Sequence, residues 1–186
     1  MKSLYRFIIE PKNGNQYNNT KKVGDVELII NTSIEEAKDV QRIGKVLALP
    51  ELFETEVQVG DEVVVWHNVF RKVYNDQGIP VESNHYIKDK MFYVTPDLVY
   101  MVIRDGKKIA IHDNVFVEPV KTLDKWEGEK LQQHVGIVRY ANDYLKKQGI
   151  NEGDKIAFRK NCEYEFEIDG EKLYKMSNHR ILAKLN

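Results

Sequence analysis

GKVLAL at 44–49 followed by VQVGDEVVVW at 57–66, and GIVRYA at 136–141 followed by INEGDKIAF at 150–158, read as two versions of one pattern. The match extends outward in both directions. After the first pair, and beyond an insertion, comes KMFYVTPDLVYMVI at 90–103; after the second comes KLYKMSNHRILAKL at 172–185. Before them stand YRFIIEP at 5–11 and NVFVEP at 114–119. One order of pieces occurring twice is the mark of a duplicated module. It divides the chain into residues 1–104 and 105–186.

The pieces themselves are short runs of β-branched and aromatic residues separated by Gly, Asp, Asn and Pro, which predicts an all-β protein of barrel or sandwich type. Gly60-Asp61 and Gly153-Asp154 each precede an apolar strand and mark tight turns. Asp105-Gly106 and Asp169-Gly170 are two-residue hairpin signals. Helix is scarce. Ser33-Ile34-Glu35-Glu36 fits a capping box, and Tyr140 to Lys147 has room for two turns.

The chain has 186 residues, 42% hydrophobic and 31% charged, with a net charge of -1. That balance implies neither a polyanionic partner nor a charged surface for one. No apolar run approaches a membrane span, and the N-terminus lacks the pattern of a cleaved leader, so a cytoplasmic protein is expected. Cys162 is the one cysteine. A disulfide framework is thereby excluded and a reducing compartment is the default. Two small modules have little core each, which favours an oligomer.

The halves differ most between the opening strand and the central glycine. Lys12 to Lys22, KNGNQYNNTKK, is polar and without a periodic apolar face, and is expected to stay mobile. It leads into Val26-Glu27-Leu28-Ile29-Ile30. The corresponding connector in the second half, Val120 to Val135, is shorter. Leu28 to Ile30 is either a strand in the core of the first module or an adhesive aliphatic patch carried on a loop.

The order of motifs resembles that of the chaperonin-10, or GroES-type, co-chaperonins, and the chain resembles two such modules in tandem. GDKIAFRKNCEYEFEIDGEKLYKMSNHRILAKL at 153–185 follows the family's order through to its final strand. RFIIEP, GKVLAL, VQVGDEVVVW and DLVYMVI do the same in the first half. The resemblance implies two GroES-like β-barrel modules, with a mobile loop over about 12–40 and an inserted hairpin over about 69–88 in the first only. It also implies a chaperonin-binding site at Val26, Leu28, Ile29 and Ile30. The partner would be a GroEL-type chaperonin ring in its nucleotide-bound state.

Ring assembly through the first and last strands, at Phe7, Ile8, Ile9 and at Ile181, Leu182, Ala183, follows from the same likeness, with seven chains expected. The protein would be a non-enzymatic lid without cofactor or metal, nucleic acid or membrane. Two departures stand out: Pro50 to Gln58 is too short for the family's roof hairpin, and Val69 to Lys88 is inserted. Together with the tandem arrangement they point to a viral member of the family, acting in the host cytoplasm.

Candidate chemistry is thin. His67, His85, His112, His134 and His179 lack ligand spacing, and Cys162 lacks an activating neighbour. Asp61 and Asp154 occupy the same turn in each half, which is a structural duty. Trp66 reads as core, and Trp126 as a residue at a joint. Barrels related to this one occur in medium-chain alcohol dehydrogenases, but no cofactor-binding half or zinc pattern accompanies them here. A viral structural or nucleic-acid-binding β-barrel is the alternative.

Overall fold

The computed structural model describes residues 2–23, 26–29, 38–124, 128–168 and 170–185, of which 20–23, 26–29, 123–124 and 128–130 are described by their backbone. Ile30, the Ser33 to Glu36 capping box, Trp126 and Asp169 lie outside the described residues. The protein is all-β, built of antiparallel sheets. Its described α-helix, α1 at Asp143–Lys147, has five residues and is capped by the Asn142 side chain, which accepts from Leu145 N. The chain separates into two compact units, Met1–Lys107 and Lys108–Asn186.

In the first unit the strands are β1 (Phe7–Pro11), β2 (Thr20–Val23), β3 (Val26–Ile29), β4 (Ile43–Ala48), β5 (Glu62–Val65), β6 (Val73–Tyr74), β7 (Pro80–Val81), β8 (Tyr86–Lys88), β9 (Met91–Val94) and β10 (Val99–Arg104). β11 (Lys107–Ala110) carries the boundary, reached through the turn at Asp105-Gly106. The second unit holds β12 (Asn114–Asp124), β13 (Gly128–Tyr140), β14 (Lys155–Phe158), β15 (Tyr164–Ile168), β16 (Glu171–Ser177) and β17 (Ile181–Leu185).

Six strands lie side by side in the order β10-β5-β4-β1-β9-β8 in the first unit, and in the order β17-β14-β13-β12-β16-β15 in the second. The register repeats as well. Pro11 opposes Gly44 and Gly44 opposes Val63; Pro119 opposes Gly136 and Gly136 opposes Ile156. Two of the irregularities coincide as well. The pairing slips between Ile8 and Ile9 as it does between Phe116 and Val117, and Tyr100 and Leu182 are the extra residues where β10 and β17 slip against β5 and β14.

The Gly-Asp turns are equivalent down to single hydrogen bonds. Gly60, at φ 95°, donates to Val46 O, and Val46 N donates back to Asp61 O. Gly153, at φ 91°, donates to Val138 O, and Val138 N donates to Asp154 O. Each aspartate then closes its own turn, accepting at 2.7 Å from Gln58 N or Asn151 N. Asp61 is further gripped by the Arg104 guanidinium at 2.6 and 2.8 Å, and Asp154 by Lys184 Nζ at 2.7 Å. The hydrogen bonds from Arg104 hold the Asp61 carboxyl below its ordinary value, outweighing burial; for Asp154 the Asn151 amide does so first and Lys184 second.

Closed barrels are a different matter. Among the described residues neither sheet closes into a ring of paired strands. One margin of the first sheet is β8, three exposed residues with a slip against β9, too short to form a seam. A margin of the second is β15, where exposed Glu165 and Glu167 alternate with buried Phe166 and Ile168; charges at an edge discourage further pairing.

Burial explains the sequence pattern. Successive residues of a strand face opposite sides, so complete burial of Val63, Val64 and Val65 means that both faces of the sheet are covered there. Phe70, Phe92, Ile9 and Met101 complete that core. In the second unit Val115, Val117, Val138, Leu145, Ile156, Phe158 and Met176 form the equivalent cluster.

The central glycines are required by close approach. A Cβ at Gly44 would stand 2.9 Å from Ile9 Cδ1 and 3.0 Å from Phe70 Cζ. One at Gly136 would overlap Val117 Cγ1 and stand 3.0 Å from Glu118 O. Gly136→Ala is therefore expected to destabilise the second unit by about 1–3 kcal/mol, measured by urea denaturation. An unchanged midpoint would show that β12 and β13 can separate without cost.

Asp61→Ala is expected to cost about 1.5–3 kcal/mol through loss of charge-assisted hydrogen bonds. Because the folded carboxyl is depressed, its contribution is fully present above the ordinary value of 3.8 and is lost as pH falls through the lower folded value. The variant should show a shallower acid limb than the parent.

Candidate partner-binding loop

Between β1 and β4 the chain makes an excursion that begins and ends in a narrow stem. β1 terminates at Pro11, which supplies no backbone donor to continue the ladder, and Lys12–Gly14 forms a single 3-10 turn with Asn13 at φ 57°. Lys12 Nζ reaches back to Glu62 Oε2 at 2.8 Å, so the turn is tied to the start of β5. Tyr17 then bridges Val40 across the excursion. Asn18 N donates to Asp39 O at 2.7 Å and Gln41 N to Gln16 O at 2.8 Å, which draws the outgoing and returning segments together.

Gln41 holds the returning segment. It is buried, with 6% of its surface exposed, and uses both ends of its amide. Nε2 donates to Asn18 Oδ1, while Oε1 accepts from Arg42 N and Ile43 N, at 2.9 to 3.0 Å. Val40 beside it is 1% exposed. A buried side-chain amide needs such partners, because each polar group left unmatched costs about 1–3 kcal/mol. Of the polar tract Lys12 to Lys22, expected to stay mobile, the part around Gln16 to Asn18 is thus fastened to residues far along the chain.

Beyond the stem, β2 and β3 pair as an antiparallel hairpin, with Thr20 opposite Ile29, Lys21 opposite Leu28, Lys22 opposite Glu27 and Val23 opposite Val26. The hairpin is a sheet of its own, separate from the sheet that holds β1 and β4. Of the residues singled out as a binding patch, Val26, Leu28 and Ile29 lie together on β3, and Ile30 falls outside the described residues. Leu28 and Ile29 are therefore not on a strand of the main sheet, which was the plainer of the two readings of the sequence. The sequence signal for this hairpin is the Gly24-Asp25 pair between Val23 and Val26, whereas the polar residues of β2 give no alternation.

The strands expected to join one chain to the next differ from each other. Phe7, Ile8 and Ile9 lie on β1, an inner strand paired with β4 on one side and β9 on the other, and are 0%, 6% and 0% exposed. They are core residues, and the main-chain groups of β1 are already paired. Ring assembly through the opening strand would need a free edge there, and β9 pairs along that edge. Ile181, Leu182 and Ala183 lie on β17, which ends its sheet and, among the described residues, pairs with β14 alone; Leu182 is 64% exposed. A groove of about 420 Å³ runs beside this edge, lined by Tyr144, Leu145, Ile150, Ile181, Leu182 and Ala183 among others.

His67 is half-buried, and burial, with Arg42 and Arg71 nearby, lowers its pKa to about 4. His85 Nδ1 meets Tyr93 O at 3.0 Å, and exposed His179 meets Asp113 at 3.3 Å. The Cys162 thiol is pushed up by burial and by Glu163, away from the thiolate that reactivity needs. Among the described residues no three His, Cys, Asp or Glu side chains come together as metal ligands.

Gln41→Ala should lower stability by about 1–3 kcal/mol by leaving Arg42 N and Ile43 N unmatched, read by thermal or urea denaturation; a neutral result would mean that the stem is dispensable to the first unit. His67 binds its proton more readily unfolded than folded. Stability is therefore expected to fall as pH drops from 6.5 toward 4, and His67→Gln should flatten that part of the profile. No protein-family model matches the chain, and no curated protein matches it.

Proposed function

We propose that the protein is a co-chaperonin: an oligomeric lid that caps a GroEL-type chaperonin ring by inserting the β2–β3 loop of each chain into the rim. The observation that carries this reading is the coupling of two features. The same six-strand order and register occur in both units, as in two GroES-like modules, while among the described residues a hairpin forming a sheet of its own, with Val26, Leu28 and Ile29 on one strand, stands in the first; the equivalent connector of the second extends β12 and β13. Val26, Leu28, Ile29 and Ile30 are the contact residues. Neither unit supplies a nucleotide fingerprint, and ATP hydrolysis belongs to the partner.

Magnitudes favour a multivalent, reversible contact. Burying three large aliphatic side chains is worth roughly 5–9 kcal/mol. Ordering a free loop costs about 1–2 kcal/mol per residue, so a loop of ten residues alone would scarcely bind. Pre-pairing of β2 with β3 and fastening of the stem reduce that cost before the partner arrives. Several loops on one ring turn later contacts into intramolecular ones. A modest weakening of every contact by the partner's ATP cycle then releases the whole lid.

Ring formation is assigned to β17, whose unpaired edge and exposed Leu182 offer both main-chain groups and apolar surface to a neighbouring chain. Seven chains match a seven-fold chaperonin. The absence of any strand between Ala48 and Glu62 goes with a lid whose roof is open.

Capture on an immobilised chaperonin with and without ATP is the test. The intact protein is expected to bind in the presence of nucleotide, and Leu28→Asp or Ile29→Asp to abolish capture while the assembly retains its mass by native mass spectrometry. Capture that is indifferent to nucleotide and to both substitutions would overturn the assignment.

A further inference from the structure

The first unit carries a longer loop than its counterpart in the second and, after β5, an insertion without a counterpart among the described residues of the second, and the two touch each other. The insertion is rooted in the core. Val69 and Phe70 are completely buried, and Phe70 stacks edge-on against Phe92 at 5.0 Å. Phe70 Cζ also occupies the space above Gly44, a place filled in the second unit by Phe158 above Gly136. From this root, Ser83 Oγ donates to Val69 O at 2.6 Å and His85 N donates to Ser83 Oγ, drawing the far end of the insertion back to its start. Between them β6 and β7 form a small hairpin over Asn75 to Ile79.

The loop stem is bonded to the root of this insertion. Gln16 Nε2 donates to Phe70 O at 3.1 Å and to Glu82 Oε2 at 2.6 Å. Lys72 N donates to Tyr17 Oη at 2.9 Å. Lys72 Nζ and Glu82 Oε1, 3.5 Å apart, link the two sides of the insertion just there. Gln16 and Tyr17 are the same two residues that meet Gln41 and Val40 to close the stem. Each therefore has one contact that joins the two ends of the loop and another that joins them to the insertion.

We propose that the insertion root, Val69 to Lys72 with Glu82 and Ser83, is a brace that fixes where the partner-binding loop leaves the sheet, with Gln16 and Tyr17 as its positioning residues. The proposal rests on the reading of the loop as the chaperonin-binding element, but its structural half does not need a chaperonin. A loop held at its base has fewer residues left to order on binding and presents its hairpin in one direction. The insertion thus serves the loop, which accounts for both occurring in the same unit.

Hydrogen exchange on the full chain tests the brace. In a Gln16→Ala, Tyr17→Phe double variant the amides of Asn18 and Gln41, which close the stem, are expected to exchange about tenfold faster. The Val46 and Val138 amides, which lie in the Gly-Asp turns, should be unaffected. Unchanged rates at Asn18 and Gln41, or an equal acceleration at Val46, would overturn the brace, the latter by showing a general loss of stability.

Chaperonin capture with ATP is the second readout, and the variant should be held at least tenfold more weakly than the parent. Equal capture of the two would overturn the role of the brace in presenting the loop. If the stem amides respond while neither protein is captured, the brace stands and the co-chaperonin reading falls.

Discussion

The arrangement of both units depends on an absence. Where β4 runs between β1 and β5, and β13 between β12 and β14, the neighbouring strand and an aromatic ring come so close that a Cβ at Gly44 or Gly136 would force its neighbours to move. Interiors packed at crystal-like density do not yield to an added methyl group without moving something. The close approach sets the register of the two central ladders. That register in turn brings each Gly-Asp turn onto the opposite strand, where Val46 or Val138 receives and returns a hydrogen bond.

Much of this was legible in the residues. The two glycines, the two Gly-Asp turns and the paired Pro residues announce the repeat, and the structure gives them matching partners. Alternation failed where strands are buried on both faces, as in EVVV of β5, yet the run of valines still marked a strand. Closure into barrels was not legible, since it depends on whether two distant edges meet. The margins that stand there are the three exposed residues of β8 and the alternating glutamates of β15.

The loop was legible in part. Composition indicated an extra polar excursion with an aliphatic end, but its stem is made by Gln16, Tyr17 and Gln41, whose partners lie at Phe70, Lys72, Glu82 and Asn18. Contacts across such separations leave no local pattern. Nor does a polar tract reveal which of its amides will be buried. The insertion likewise read as a separate hairpin, whereas Tyr86–Lys88 belongs to the main sheet in the place that β15 holds in the second unit, and Val69 and Phe70 belong to the core.

The two aspartate turns share a geometry but not a counterion. A guanidinium clasps Asp61, whose side chain is 5% exposed, whereas a single ammonium meets Asp154, whose side chain is 22% exposed. Dissolved ions screen the open pair far more than the sheltered one. Raising the ionic strength therefore weakens the Lys184–Asp154 pair before the Arg104–Asp61 pair, so two copies of one turn differ in their tolerance of brine.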